Sequence, residues 1–175
     1  MVQPLCVRME ESFRSLLLTL RHPNLGLCMG LTPTSGNGLS LISEACPGGS
    51  LHDALQVVKF STEQKMKILS DISHALCYMH SKSPPVTHPR LSTESIFLDT
   101  IVENDLDYVN VKIGDISSLQ PGDPTGDIQR FGKIVGEVLP DMPNHIKGLT
   151  QRCLSGDVSS IPLTIEVCRV LKTGN

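Results

Sequence analysis

The stretch ISHALCYMHSKSPPVTHPRLSTESIFLD, residues 72 to 99, carries a helix end, a loop and a strand in quick succession. Its first part continues STEQKMKILSD from Ser61, and Met66, Leu69, Ile72, Leu76 and Met79 recur there at helical spacing as one apolar stripe. Ser61 is placed to cap this helix, with Gln64 three residues on as its reciprocal partner. SKSPP ends it, because proline offers no N–H and disfavours helical backbone in the residue before it. SIFLDT then reads as a strand, IVENDLDY as a polar excursion and VNVKIG as a second strand able to pair with the first. Between helix and strand lies HPRLSTES, residues 88 to 95, a polar loop held by apolar elements on both sides. Chemistry-bearing side chains are to be sought on such loops.

The pattern extends outward on both sides. MEESFRSLLLTL, residues 9 to 20, sets Phe13, Leu16, Leu17 and Leu20 at helical spacing, with Glu10 and Glu11 near the start where they suit the helix dipole. RHPNL closes that helix, and LGLCMGL and GLSLISEA follow as an antiparallel strand pair around TPTSGN. CPGGSL breaks the second strand and leads into a short helix, SLHDAL. Downstream, DISSLQPGDPTGD is rich in turn residues, and from Asp127 to Leu139 the helical period returns with Ile128, Phe131, Val135 and Val138 on one face. NHIKGLTQRCL and IPLTIEVCRVL predict a last pair of helices. The expected class is α+β, a mainly helical body with a few short hairpins.

At 175 residues the chain suits one domain, which removes roughly two-thirds of its unfolded surface from water. Aromatic residues make up 3% and Trp is absent, so the core must be aliphatic. Fifteen basic and 18 acidic residues leave a net charge of -3 without a basic block, which argues against nucleic acid or an anionic membrane as partner. Six cysteines, at 6, 28, 46, 77, 153 and 168, form no C-x-x-C pair and read as small buried hydrophobes in a reducing, cytoplasmic setting. The N-terminal stretch has no secretory pattern, and no 18-residue apolar run predicts a membrane span.

Taken in order, these pieces resemble a eukaryotic protein kinase domain of the tyrosine-kinase-like group. LRHPNLGLCMG is similar to the junction of C helix and fourth strand, and LSLISEACPGGSLHDAL to the fifth strand, hinge and D helix. Residues 72 to 99 look like the E helix and catalytic loop, VKIGDISSL like the metal-binding segment, DIQRFGKIVGEVL like the F helix, and IKGLTQRCLSGDVSSIP like the last helical region. The resemblance implies a single incomplete kinase-like domain over residues 1–175. Residues 9–45 correspond to a small-lobe remnant of C helix and two strands, and 46–175 to a reduced large lobe.

The same resemblance implies a catalytic loop stripped of its chemistry. His88 keeps the family's histidine, but Arg90 stands where the family's aspartate accepts the substrate proton. A guanidinium has no acceptor and stays protonated. Ser92 replaces the family's phosphate-binding lysine, and Ser95 the asparagine that holds a second metal. Asp115 matches the metal-binding aspartate, followed by Ile116 and Ser117 in place of Phe and Gly. Read without the family, Asp115 fits a structural or surface aspartate better than a metal ligand. The Gly-rich loop and strand lysine have no counterpart in MVQPLCVRM. Asp127, the counterpart of the family's F-helix aspartate, follows Asp115 after only twelve positions, without the family's Ala-Pro-Glu stop. Ile161 stands where the family has the arginine that pairs with that stop. Leu17, Cys28, His88 and Ile116 correspond to a stacked spine anchored by Asp127.

The expectation is a catalytically inactive kinase-like domain that serves as a protein-binding, scaffold or regulatory module. Its partner is another protein or the remainder of a longer chain. If residues 25 to 45 form only two strands, the pair has an open edge that invites such a partner. Alternatives are a weak ATP binder, a residual serine/threonine kinase, or a fragment of a longer kinase without a role of its own. For ATP, the backbone of Glu44 and Cys46 would meet the adenine above Phe97, and Asp115 would hold one Mg2+. Each missing charged contact costs about 2 kcal/mol or more, which implies millimolar affinity or none.

Overall fold

The computed structural model describes residues 2–4, 11–34, 38–155 and 164–173. In chain order the first elements are β1 (Val2–Pro4), α1 (Glu11–Thr19), β2 (Cys28–Thr34), β3 (Gly38–Ser43), α2 (Leu51–Val57) and α3 (Thr62–His80). There follow β4 (Val86–Thr87), β5 (Ile96–Leu98), β6 (Val111–Ile113), β7 (Gln120–Pro121), α4 (Thr125–Val138), α5 (Asn144–Cys153) and α6 (Thr164–Thr173). The fold is α+β and mostly helical, with a small sheet beside the helical body. Cys6, Glu10, Ile161, Pro162 and the tip of the turn in TPTSGN lie outside the described residues.

The longest helix, α3, forms as its sequence predicts. Ser61 Oγ accepts the Gln64 N–H at 3.2 Å, and Gln64 Oε1 accepts the Ser61 N–H at 2.9 Å, so two amides that the first turn leaves unpaired are satisfied reciprocally. Leu69, Ile72, Leu76 and Met79 are buried and Met66 sits half-buried at the rim. Ile68 and Ala75 are buried as well, so the covered face is wider than one stripe. Part of that extra cover is α6, whose Cys168 Sγ donates to the Ser73 carbonyl. The expected face of α4 is also inward: Ile128, Phe131, Val135 and Val138 are buried, joined by Ile134.

β2 and β3 pair antiparallel as expected, with an irregularity between Cys28 and Gly30. The pair does not stand alone. β1 lies along the far side of β3, with Val2 opposite Ile42, and the sheet order is β1-β3-β2. The β3 edge that a two-strand reading leaves open is therefore covered. Three residues, one of them a proline, carry no period a sequence reading can use.

β5 and β6 form the expected second pair, with Ile96 opposite Ile113 and Phe97 opposite Lys112. The turn-rich segment after β6 adds a ribbon not foreseen, in which Thr87 of β4 faces Gln120 of β7. Gly48 joins the sheet to the helical body: its N–H donates to the Leu98 carbonyl at 3.2 Å, and the Leu98 N–H donates to the Gly49 carbonyl at 2.9 Å. A Cβ at position 48 would collide with the Thr100 carbonyl, so only glycine permits this approach.

Candidate functional site

The loop after β4 is fixed from below. His88 is fully buried, and its N–H donates to Asp127 Oδ2 at 2.9 Å. Its Nε2 lies 3.1 Å from the Gly114 carbonyl. A carbonyl only accepts, so Nε2 carries a proton when this bond forms. Burial pushes the His88 pKa down, against the smaller opposing pull of the Gly114 carbonyl and Asp127. Its Nδ1 is buried and has no hydrogen-bond partner among the described residues. The ring is enclosed, with no open face toward solvent.

Asp127 is 1% exposed and gathers more than the loop amide. His80 at the end of α3 places Nε2 3.0 Å from Asp127 Oδ2 and Nδ1 2.6 Å from Thr164 Oγ1, so one carboxylate ties α3, α4, α6 and the loop together. The role of His80 was not legible, because it closes a helix like many histidines near a C-terminus. Leu17, Cys28 and Ile116, the remaining residues of the expected stack, are all buried.

Arg90 leaves this anchored base and points outward, its side chain 71% exposed. Its Nη2 donates to Asp115 Oδ2 at 2.7 Å and to Ser118 Oγ at 2.6 Å, and its Nε donates to Ser118 Oγ at 3.0 Å. Ser118 and Ser117 donate in turn to the two Asp115 oxygens, at 2.6 and 2.9 Å. Partial burial alone would raise the Asp115 pKa, but the Ser118 and Ser117 hydroxyls and the Arg90 charge outweigh it and hold the carboxyl below its usual range. Asp115 adopts the left-handed backbone region, φ 43° and ψ 43°, which aspartate tolerates better than most residues. The two expected site residues thus meet directly, as an ion pair.

Ser92 and Ser95 are spent on the loop itself. Ser95 Oγ accepts the Ser92 N–H at 3.0 Å and donates to the Ser92 carbonyl at 2.9 Å, while Ser92 Oγ donates to Glu94 at 2.8 Å.

At the hinge, Glu44 Oε1 accepts the Leu27 N–H at 2.6 Å, and Glu44 Oε2 accepts from Lys112 Nζ at 2.6 Å. Lys112 also lies 3.4 Å from Asp99. Sequence reading missed Lys112; the signal was its place opposite Phe97 in the β5–β6 pair. The Phe97 ring packs so tightly on Gly114 that a Cβ there would fall 2.5 Å from it. Glu44, Cys46, Phe97 and Asp115 do converge on one cavity, but its volume is about 20 Å³. That is near the size of one water, against roughly 300–1,000 Å³ for a small-molecule pocket. Among the described residues no group of three or more His, Cys, Asp or Glu side chains is arranged to hold a metal ion. No helix among them is long and apolar enough to cross a membrane.

The family profile described as protein tyrosine and serine/threonine kinase matches residues 8–121. The chain belongs to this kinase family. A probable serine/threonine-protein kinase of Dictyostelium discoideum is 38% identical over 104 residues, which are 58% of this kinase-family chain and 9% of that protein. U-box domain-containing protein 32 of Arabidopsis thaliana is 36% identical over 162 residues, 86% of the chain and 20% of the relative. Retinal guanylyl cyclase 1 of Mus musculus is 30% identical over 169 residues, 89% of the chain and 14% of the relative. The chain therefore spans a fifth or less of these relatives.

Proposed function

We propose that this kinase-family chain transfers no phosphate and works as a protein-binding, regulatory module. The observation that carries the reading is Arg90, in the position of the family's base, bound to Asp115 Oδ2 at 2.7 Å. A guanidinium cannot take a proton from a substrate hydroxyl. Its charge also sits on the oxygen that a divalent cation would need. The cavity of about 20 Å³ beside Phe97 supports the same reading, since a nucleotide does not fit without displacing Phe97 or the Glu44–Lys112 pair. The residues present do not suit a magnesium–nucleotide complex. The relatives matched over 86% and 89% of the chain are named for a U-box and for guanylyl cyclase, which supports a kinase-like module carried beside other activities.

The alternative is a weak nucleotide binder, favoured by the retained Asp115 carboxylate. ATP turnover and thermal melts, each with and without Mg2+, separate the two. Expected are no ADP above the blank and no magnesium-dependent shift. Turnover or a shift that disappears in Asp115→Ala overturns the proposal.

A further inference from the structure

Away from the loop of Arg90, the first turns of α3 and the segment between β5 and β6 border an open groove of about 500 Å³. The segment is fastened rather than loose. Val102 and Val109 are buried at its two ends, and Gln64 Nε2 donates to the Asn104 carbonyl at 3.1 Å and the Asp107 carbonyl at 2.9 Å. Held this way, it presents two large side chains to solvent: Leu106 is 91% exposed and Tyr108 72% exposed.

The rim is acidic. Glu63, Asp105 and Asp107 line the groove, and among the described residues none of the three is in an ion pair. The Glu103 and Asn104 amides that donate to Asp107 hold its carboxyl below the usual range. The one lysine that lines the groove, Lys67, is already engaged by Asp71 at 2.6 Å. A preformed apolar pair beside unpaired carboxylates selects for its complement, aliphatic side chains interleaved with cations.

We propose that this groove docks a basic, aliphatic linear segment of a partner protein. Leu106 and the Tyr108 ring, over which Lys67 Nζ already lies 5.5 Å from the centroid, supply the apolar seat, and Glu63, Asp105 and Asp107 the charge that fixes register. The inference deepens the protein-binding reading and rests on it. It also names a face that shares no lining residue with the cavity beside Asp115.

The test uses a fluorescein-labelled peptide of alternating arginine and leucine, followed by anisotropy on the full chain. Binding is expected to saturate and to weaken as salt rises. It should fall about tenfold or more in the double variant Leu106→Ser, Tyr108→Ser and again in Glu63→Lys, Asp105→Lys. All four side chains lie at the solvent-facing groove, and an unchanged melting temperature establishes that each variant is folded. Absent saturation, equal binding of a peptide with glutamate in place of arginine, or unchanged affinity in both variants overturns the proposal. So does anionic-vesicle or duplex-DNA binding that exceeds that of the peptide. ATP turnover measured on the same samples keeps the readings apart: a silent peptide without turnover sinks the docking site alone, whereas turnover sinks the non-catalytic reading.

Discussion

Replacing Asp127 by alanine should be among the most damaging single changes in the chain. Its carboxylate is 1% exposed, and Oδ2 accepts from the His88 N–H at 2.9 Å and from His80 Nε2 at 3.0 Å. Alanine leaves both donors buried with nothing to receive them. A hydrogen bond to a charged group contributes about 1.5–3 kcal/mol, so two give about 3–6 kcal/mol. Removal of one partner from a buried charged pair independently suggests about 3–5 kcal/mol. The expected loss is about 4 kcal/mol, or about 8–16 °C in melting temperature for a domain of this size. Asp127→Asn can keep its one oxygen at the Oδ2 position where both donors converge, but it loses the charge and turns an NH2 toward Arg130 at the Oδ1 position, and it should lose about half as much.

Equilibrium unfolding in urea measures the global loss, and amide exchange at His88 reports the anchor locally. Asp105→Ala, on the exposed rim of the groove, is the control and should stay within about 0.5 kcal/mol of wild type. A drop below about 1 kcal/mol for Asp127→Ala, with His88 exchange unchanged, would refute the view that this carboxylate binds loop and helices together.

Other perturbations test separate parts of the structure. Gln64→Ala removes the reciprocal half of the capping box, the Ser61 N–H to Gln64 Oε1 bond, and the tie to the β5–β6 segment; it should cost about 2 kcal/mol and speed amide exchange across residues 103–108, read by mass spectrometry. Gly114→Ala places a methyl 2.5 Å from the Phe97 ring and should destabilise by about 1–3 kcal/mol, whereas Gly30→Ala, with nothing within 4 Å, should be tolerated in chemical denaturation. His88 is held neutral, its folded pKa below the ordinary 6.5, so its contribution is present above pH 6.5 and is lost as pH falls through the folded value. The acid limb of a stability profile should therefore flatten in His88→Leu, by at most about 1.4 kcal/mol per pH unit. Cys153, whose thiol burial pushes up to about 12, should resist alkylation at mildly alkaline pH until the chain unfolds, while the half-buried Cys77 reacts in the native state.

The helices were legible because each announces itself twice, by period and by punctuation. Ser61 and Gln64 bracket α3 as a capping box, and the bonds form at both ends of the pair. The β5–β6 pairing followed from two short apolar runs about a polar excursion. What escaped was set by distant contacts. β1 gains its place only by lying against β3, and the β4–β7 ribbon exists because the Gly122 N–H reaches the Pro85 carbonyl at 3.0 Å. At the site, residue identities could be read and their mutual use could not. Arg90 was visible in the place of the family's base, but its bonds to Asp115 and Ser118 form across a left-handed turn at Asp115. Glu44 was legible as hinge backbone, whereas its side chain works, bolted to Lys112 across the cavity.

If the non-catalytic reading holds, the Arg90–Asp115 pair also makes a return to an acidic loop difficult. Changing Arg90 back to aspartate would set a second carboxylate near one whose Oδ2 now lies 2.7 Å from a guanidinium. Two like charges in one small site repel, and Ser118 would lose the cation its hydroxyl serves. A first step toward an acidic loop therefore moves uphill unless a metal ion or a compensating change arrives with it. Under that reading the pair acts as a latch, which no single-residue change releases without leaving a charge uncompensated.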